Sequence, residues 1–182
     1  MMKVIDTTIE GVKIIEPEVF GDERGYFFEA WNKAKFAEAG IDVEFVQDNE
    51  SFSTYGVLRG LHYQTSPYTQ AKLVRVIAGT VLDVVVDIRK GSPTFGTNFS
   101  VELSGENKRL LFMPRGMAHG FAVLSAKVTF AYKCDNIYAP SHERTIQFDD
   151  PTLAIDWQIP PENYLLSEKD RKGVPFEAAE YL

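Results

Sequence analysis

The sequence predicts an all-β fold, a jelly-roll-like antiparallel β-barrel with a few short peripheral helices, formed by residues 1–182 as one domain. Three observations lead to this prediction. Segments in the middle of the chain alternate apolar and polar side chains with the period of a half-buried strand. Turn signals separate these segments at intervals of roughly ten residues. No linker, charge block or internal repeat divides the 182 residues, about the length of one domain.

The composition supports a folded core and excludes several partner classes. Hydrophobic residues make up 45% and aromatic residues 13% of the chain, which excludes global disorder. A net charge of -7 disfavours nucleic acid and anionic membranes as partners. No apolar run approaches the ~20 residues of a membrane span. A single cysteine, Cys134, and the absence of a secretory signal lead us to expect a cytoplasmic protein.

In chain order, the first clear element is a helix over Lys33–Ala39, with Asn32 as its cap and Gly40 as its stop. The next is a strand over Lys72–Ile77, which a glycine turn links to a second strand over Val81–Ile88. The second strand is apolar on both faces, so we expect it to be covered on both sides. Helices are therefore peripheral to a β core.

Two later segments alternate like strands with one buried face. Phe99–Leu103 is followed by the turn Ser104–Asn107, which predicts a hairpin with the next strand. Lys127–Asp135 places Val128, Phe130, Tyr132 and Cys134 on one face and polar side chains on the other. The proline-rich segment from Pro151 onward predicts irregular structure and short helical turns over an edge or mouth of the barrel.

Two of the three histidines lie in distinctive glycine-containing segments. Gly56–Gln64 places Arg59 and His62 three residues apart beside two glycines, which permit close backbone approach to a ligand. A loop histidine beside a surface arginine explains the same spacing. His119 lies in Pro114–Phe121, which we place between two strands and which resembles the second motif of the cupin superfamily, small jelly-roll barrels that often hold a metal.

In that superfamily a His-x-His pair and a glutamate from the first motif complete the metal site, and the only candidate for the first motif here, residues 62–64, has Gln64 where the second histidine is required. Two imidazoles without a third ligand nearby make a poor transition-metal site. We therefore predict no metal, which disfavours a metal-dependent dioxygenase.

Four other side chains are candidates for acid–base chemistry. Lys72 and Tyr132 share strand faces with apolar residues, so both could point into the barrel, although a snorkelling lysine and a core tyrosine fit the same pattern. Asp83 would need a partner if it were buried and none on the outside of the sheet. Asp170 stands three residues after Ser167, as in a helix capping box.

A set of motifs along almost the whole chain, from about Val4 to Phe176, carries a family resemblance. In order they are Gly21–Glu29, Gln47–Asn49, Gly56–Gln64, Gln70–Val76, Asp83–Arg89, Pro114–Phe121 and Leu166–Asp170. With these motifs the chain resembles the dTDP-4-dehydrorhamnose 3,5-epimerase family, the sugar-nucleotide epimerases of dTDP-L-rhamnose synthesis.

The resemblance implies a metal-free and cofactor-free epimerase acting on a dTDP-4-keto-6-deoxyhexose. His62 matches the general base, Asp170 the carboxylate that orients it, Tyr132 the acid on the opposite ring face, and Lys72 the cation beside the C4 carbonyl. A base and an acid on opposite faces are what the inversion of a carbon next to a ketone requires. An ammonium beside the ketone stabilises the enolate.

The resemblance also implies a set of substrate-binding residues: Arg24, Glu29, Gln47, Asn49, Arg59, His119, Glu143 and Lys169. In the family, Arg24 and Glu29 reach the neighbouring subunit's site, so a homodimer is expected. Three alternatives stay open: a single-centre 3- or 5-epimerase of another dTDP-deoxysugar pathway, a relative that moves the keto group, and a non-catalytic nucleotide-sugar-binding cupin.

Overall fold

The computed structural model describes all 182 residues and has the predicted all-β jelly-roll architecture. The first sheet has six strands, in the spatial order β1 (Lys3–Asp6), β2 (Lys13–Glu16), β10 (Leu110–Met113), β7 (Lys72–Ala78), β12 (Lys127–Cys134) and β5 (Gln47–Thr54). The second has five, in the order β13 (Glu143–Thr145), β6 (Leu58–Gln64), β11 (Met117–Val123), β8 (Thr80–Asp87) and β9 (Asn98–Ser104). A separate hairpin pairs β3 (Val19–Asp22) with β4 (Gly25–Phe28). All strand pairs within these sheets are antiparallel.

The main core lies between the two sheets. It includes Val76 and Phe130 from the six-stranded sheet and Val81, Val85 and Phe121 from the five-stranded sheet, all almost fully buried. The alternating pattern of β12 places its apolar side chains in this layer, as the sequence predicts. β8 is buried on both faces, because its other face is covered as well.

Each sheet has a cover on its outer face. The helix α1 (Lys33–Glu38) packs Phe36 against the six-stranded sheet, and the side chain of Asn32 caps it by accepting a hydrogen bond from Lys35 N at 3.2 Å. Trp157 and Phe176 of the C-terminal segment cover the five-stranded sheet. The segment holds two 3₁₀ turns and the short helix α2 (Glu168–Arg171). Most of it lies over the outer face of the sheet, whereas α2 reaches the mouth of the cavity between the sheets, where Lys169 is part of the lining, so the predicted position at an edge or mouth holds for α2 and not for the rest. None of the helices is long and apolar enough to span a bilayer.

The predicted hairpin, in which the strand after Ser104–Asn107 would pair with β9, is wrong. β9 pairs with β8, whereas β10 pairs with β2 and β7 in the other sheet. β10 is buried on both faces, so it needs a covered position inside the six-stranded sheet rather than a place at the edge beside β9. The turn therefore carries the chain from one sheet to the other. Gly79 does the same between β7 and β8, with a φ of +87° and a Cβ position only 2.1 Å from the carbonyl oxygen of Lys127.

Candidate active site

A cavity of about 340 Å³ opens between the two sheets, beside the main core. Its walls come from β5, β7 and β12 on one side and from β6, β11 and β13 on the other. The structure brings nine of the twelve predicted site residues to its lining: Gln47, Asn49, Arg59, His62, Lys72, His119, Tyr132, Glu143 and Lys169.

His62 lies on the five-stranded wall with a buried carboxylate behind it. Its Nε2 is 2.8 Å from Oδ1 of Asp170, although the N–H does not point along that line, so the contact is a close polar contact that becomes an ion pair only when the imidazole is protonated. The other ring nitrogen, Nδ1, forms no hydrogen bond within the chain, and the His62 side chain, which is 22% exposed, lines the cavity. Burial lowers the pKa of His62 and outweighs the opposing effect of Asp170. The imidazole is thus held toward its neutral, basic form.

Asp170 is 3% exposed and divides its two oxygens between two tasks. Oδ1 faces His62 and accepts a hydrogen bond from Gly60 N at 3.0 Å. Oδ2 accepts from Ser167 Oγ at 2.5 Å and Ser167 N at 3.2 Å, which completes the capping box of α2. Burial alone would raise the pKa of Asp170, but the contacts with His62, Ser167 and Gly60 outweigh burial and hold that pKa far below its usual range. Capping and orientation of the histidine are therefore both present.

Gly60 is the residue that lets this arrangement form. Its φ is +136°, and a Cβ there would lie 2.5 Å from Gly120 Cα on β11. Only glycine fits this approach, which brings β6 against β11 and aims the Gly60 N–H at Asp170.

Tyr132 and Lys72 lie on the opposite wall, in neighbouring strands of the six-stranded sheet. Neither the phenol oxygen nor the ammonium forms a hydrogen bond or ion pair within the chain, and both residues line the cavity. Burial raises the pKa of Tyr132, which keeps the phenol protonated at neutral pH. Burial lowers the pKa of Lys72, against the attraction of Cys134, Glu143 and Asp83. The cavity thus has an imidazole on one sheet and a phenol and an amine on the other.

His119 is the second histidine of the cavity and is directly opposite His62 in the pairing of β11 with β6. Its Nε2 lies 3.0 Å from each oxygen of Asp83, which is 0% exposed and has no other side-chain partner. The buried partner that Asp83 requires is therefore His119. Sequence analysis identified both residues as candidates but could not indicate that they pair, because they lie on different strands.

The rim of the cavity carries cations and a tyrosine. Arg59 donates from Nε and Nη2 to Ser53 Oγ, at 3.3 and 3.1 Å. Glu143 accepts from Lys169 Nζ at 2.7 Å and from Tyr138 Oη at 2.9 Å. Burial would raise the pKa of Glu143, but these two hydrogen bonds outweigh it and the pKa lies below its usual value.

Amide side chains hold the rim segment that carries Tyr138, and sequence reasoning missed this role. Gln64 donates from Nε2 to Tyr68 O and Ile137 O, at 2.6 and 3.1 Å, and accepts from Ala139 N at 2.7 Å. Gln47 accepts from Tyr138 N at 2.9 Å. Gln64 therefore stabilises the rim segment from the position at which the metal-binding motif has histidine. No group of three or more His, Cys, Asp or Glu side chains is placed to hold a metal ion.

Two predicted site residues lie away from this cavity. Arg24 is on the β3–β4 turn, where it forms an ion pair with Asp22, and its side chain is 85% exposed. Glu29 forms an ion pair with Lys35 at 2.9 Å. Within one chain the structure does not bring either residue to the other ten.

The fold and the site together define a jelly-roll enzyme with acid–base groups on the facing sheets of one cavity. A family model described as dTDP-4-dehydrorhamnose 3,5-epimerase matches residues 6–178. A protein of that name from Shigella flexneri is 56% identical over 181 residues, 99% of each chain. The chain therefore belongs to the dTDP-4-dehydrorhamnose 3,5-epimerase family, a family of isomerases, and the resemblance is confirmed.

Solved structures agree with this assignment. The crystal structure of a dTDP-6-deoxy-D-glucose-3,5-epimerase from Legionella pneumophila in complex with dTDP-4-keto-L-rhamnose matches with a TM-score of 0.95 and 53% identity, over 99% of this chain and 95% of that chain. ChmJ, a 3'-monoepimerase from Streptomyces bikiniensis in complex with dTDP-quinovose, matches with a TM-score of 0.86 and 36% identity, over 93% and 85%.

Proposed function

We propose that this protein inverts C3 and C5 of dTDP-4-dehydro-6-deoxy-D-glucose to give dTDP-4-dehydro-L-rhamnose. The observation that carries the proposal is the placement of the His62 imidazole and the Tyr132 phenol on different sheets around one cavity. Inversion next to a ketone removes a proton from one ring face and returns one to the other, so it needs a base and an acid on either side of the ring.

His62 is the base in this mechanism. Asp170 lies beside Nε2, so the ring proton stays on that nitrogen and the Nδ1 lone pair faces the cavity. Since burial lowers the pKa of His62, the imidazole is neutral near pH 7 and ready to accept a proton from C3 or C5. Asp170 then stabilises the imidazolium that forms.

Lys72 and Tyr132 complete the two half-reactions. Removal of the proton places negative charge on the C4 oxygen, and the unpaired Lys72 ammonium stabilises that charge as it develops. Tyr132 returns a proton to the other face of the same carbon. Because its pKa is raised, the phenol stays protonated until it donates its proton to the enolate.

The rim holds the nucleotide in this proposal. The protein has a net charge of -7, so a diphosphate must be bound by a local group of cations. Arg59 and Lys169 supply two at the rim of the cavity, and an arginine fork suits phosphate oxygens. Binding energy from the diphosphate fixes the ring between base and acid.

Hydrogen exchange in heavy water tests the reaction. The dTDP-4-keto-6-deoxyglucose substrate incubated with the protein gains deuterium at both C3 and C5. His62→Asn abolishes exchange at both carbons, and Tyr132→Phe slows product formation more than it slows exchange. His142→Asn is the matched control, because His142 is outside the cavity, beside Tyr68. Wild-type exchange in the His62 variant removes the residue from its role.

The match with a 3'-monoepimerase favours one second candidate, inversion at C3 alone, because the same fold carries that activity in a relative. Deuterium at C3 and none at C5 selects it. A non-catalytic nucleotide-sugar-binding cupin binds the sugar nucleotide and exchanges neither hydrogen.

We propose further that the protein is a homodimer in which Arg24 and Glu29 complete the partner's site. The β3–β4 hairpin exposes Phe20, Tyr26 and Phe27, an apolar surface that a second copy would cover. Its mass in solution should be twice 20.5 kDa. A fully active monomer contradicts this arrangement.

We also propose a cytoplasmic location, where the free thiol of Cys134 stays reduced. Cell fractionation tests this proposal.

A further inference from the structure

We propose that the Ser167 hydroxyl is a positioning residue for the His62–Asp170 pair and sets how strongly the carboxylate holds a proton on His62. The inference rests on the proposed role of His62 as base. Ser167 Oγ lies 2.5 Å from Asp170 Oδ2, while the other carboxylate oxygen is 2.8 Å from His62 Nε2. One hydroxyl and one imidazole therefore share the charge of a single buried carboxylate.

Helix capping alone does not account for this hydroxyl. As N-cap of α2, Ser167 Oγ accepts a hydrogen bond from Asp170 N at 3.2 Å, and an N-cap needs only such an acceptor. The same oxygen also donates its proton to Asp170 Oδ2. The donation is an additional contact, and its acceptor is the carboxylate behind the proposed base.

The effect on His62 has a definite sign. A hydrogen bond to a carboxylate stabilises its charge and makes it less basic. Without the Ser167 hydroxyl, Asp170 holds more of its charge for the imidazolium, so the pKa of His62 rises. The other groups that face His62 are Lys72, Lys169, Glu143, His119 and Tyr132. None of them hydrogen-bonds to Ser167, and only Lys169 lies on the helix that Ser167 caps, so the glycine variant, which keeps a tolerable cap, changes their positions least.

Three substitutions separate the two roles of Ser167. Ser167→Thr keeps both the cap and the donor. Ser167→Ala loses both, and Ser167→Gly loses the donor while remaining a tolerable N-cap. All three keep the backbone N–H that donates to Oδ2 at 3.2 Å.

NMR titration of the His62 ring in the full-length protein measures the effect. The chain has only three histidines, and His62→Asn identifies the signal. We expect the His62 pKa to rise by about 0.5 unit in the alanine and glycine variants and to stay at the wild-type value in the threonine variant. The melting temperature should fall more for alanine than for glycine.

A purely structural serine gives a different pattern, in which the His62 pKa is the same in all four proteins or follows the order of melting temperature. Either result overturns the proposal, as does a downward shift in the alanine and glycine variants. The titration uses no substrate. Failure of deuterium exchange would therefore refute the catalytic function and leave the titration result standing, and the reverse also holds.

Discussion

The cavity contains two histidine–aspartate pairs, one on β6 and one on β11, and they are built differently. Asp170 meets His62 through one oxygen and accepts three further hydrogen bonds from Gly60 and Ser167. Asp83 places both oxygens 3.0 Å from His119 and has no further side-chain partner. His62 is 22% exposed and His119 is 9% exposed at their side chains.

This difference in hydrogen bonding around the two carboxylates shows how one protein can use a histidine and an aspartate for two different roles. Since Asp170 shares its charge with other hydrogen-bond donors, it supports the His62 imidazolium less strongly, and His62 can take up and release a proton. Asp83 directs its whole charge at one imidazole, an arrangement that fixes the ring in place. We therefore expect His62 to exchange protons with the substrate and His119 to hold it.

The largest expected effect is that of Asp170→Asn. Loss of the carboxylate removes the support for the imidazolium, so kcat/KM should fall by about 10³-fold. Asp170 raises the pKa of His62, so the acid limb of the rate profile should also move to lower pH. Deuterium exchange at C3 and C5 as a function of pH measures both. Activity near wild type would show that the two pairs do not differ in the proposed way.

A smaller effect is expected for Asp83→Asn, the matched change at the other pair. The amide can still hydrogen-bond His119 but cannot supply charge, so kcat/KM should fall by about 10-fold, mostly through KM. The free energy of unfolding should fall by about 1–3 kcal/mol, because the site is buried. A kcat loss as large as that of Asp170→Asn would assign His119 to the chemistry and erase the distinction.

The smallest effect concerns stability against pH. The folded-state pKa of His62 lies below its usual 6.5, so the unfolded chain binds the proton first as pH falls. Stability is therefore lost from about pH 6.5 downward until the folded histidine is also protonated. Asp170, with its lowered pKa, adds a further loss below about pH 4.

His62→Asn should remove the loss of the first interval and reduce that of the second, because Asp170 loses its contact with the imidazole but keeps the hydrogen bonds from Ser167 and Gly60 that lower its pKa. Melting temperatures between pH 8 and pH 3 measure the difference. A variant whose melting curve still declines below pH 6.5 as steeply as wild type would show that His62 is not the group responsible.

The local pattern of apolar, polar and turn residues was sufficient to predict much of the fold. The alternation of Lys127–Asp135 predicted both the strand and the inward face of Tyr132, because side-chain period depends only on neighbouring residues. Asn32 and Gly40 bounded α1 to within one residue. The turn at Ser104–Asn107 misled because turn chemistry gives the reversal of the chain but not the sheet that the next strand joins.

The site was predictable only in part for the same reason. The resemblance supplied the set of residues, whereas spacing alone could not show that Arg59, Lys72 and Lys169 share a cavity or that Asp83 meets His119. Those contacts join distant strands and depend on sheet order. Arg24 and Glu29 lie away from the cavity in one chain, and their proposed role across a dimer stays a prediction.

His62 and Tyr132 are attached to different sheets, so the gap between them depends on how the sheets are stacked. Packed sheets lie about 10 Å apart, and here side chains such as Val76, Val85 and Phe130 set that spacing. The loops at the rim play no part in it. Rim residues can therefore change to bind other nucleotides or sugars while the distance between His62 and Tyr132 across the cavity stays the same.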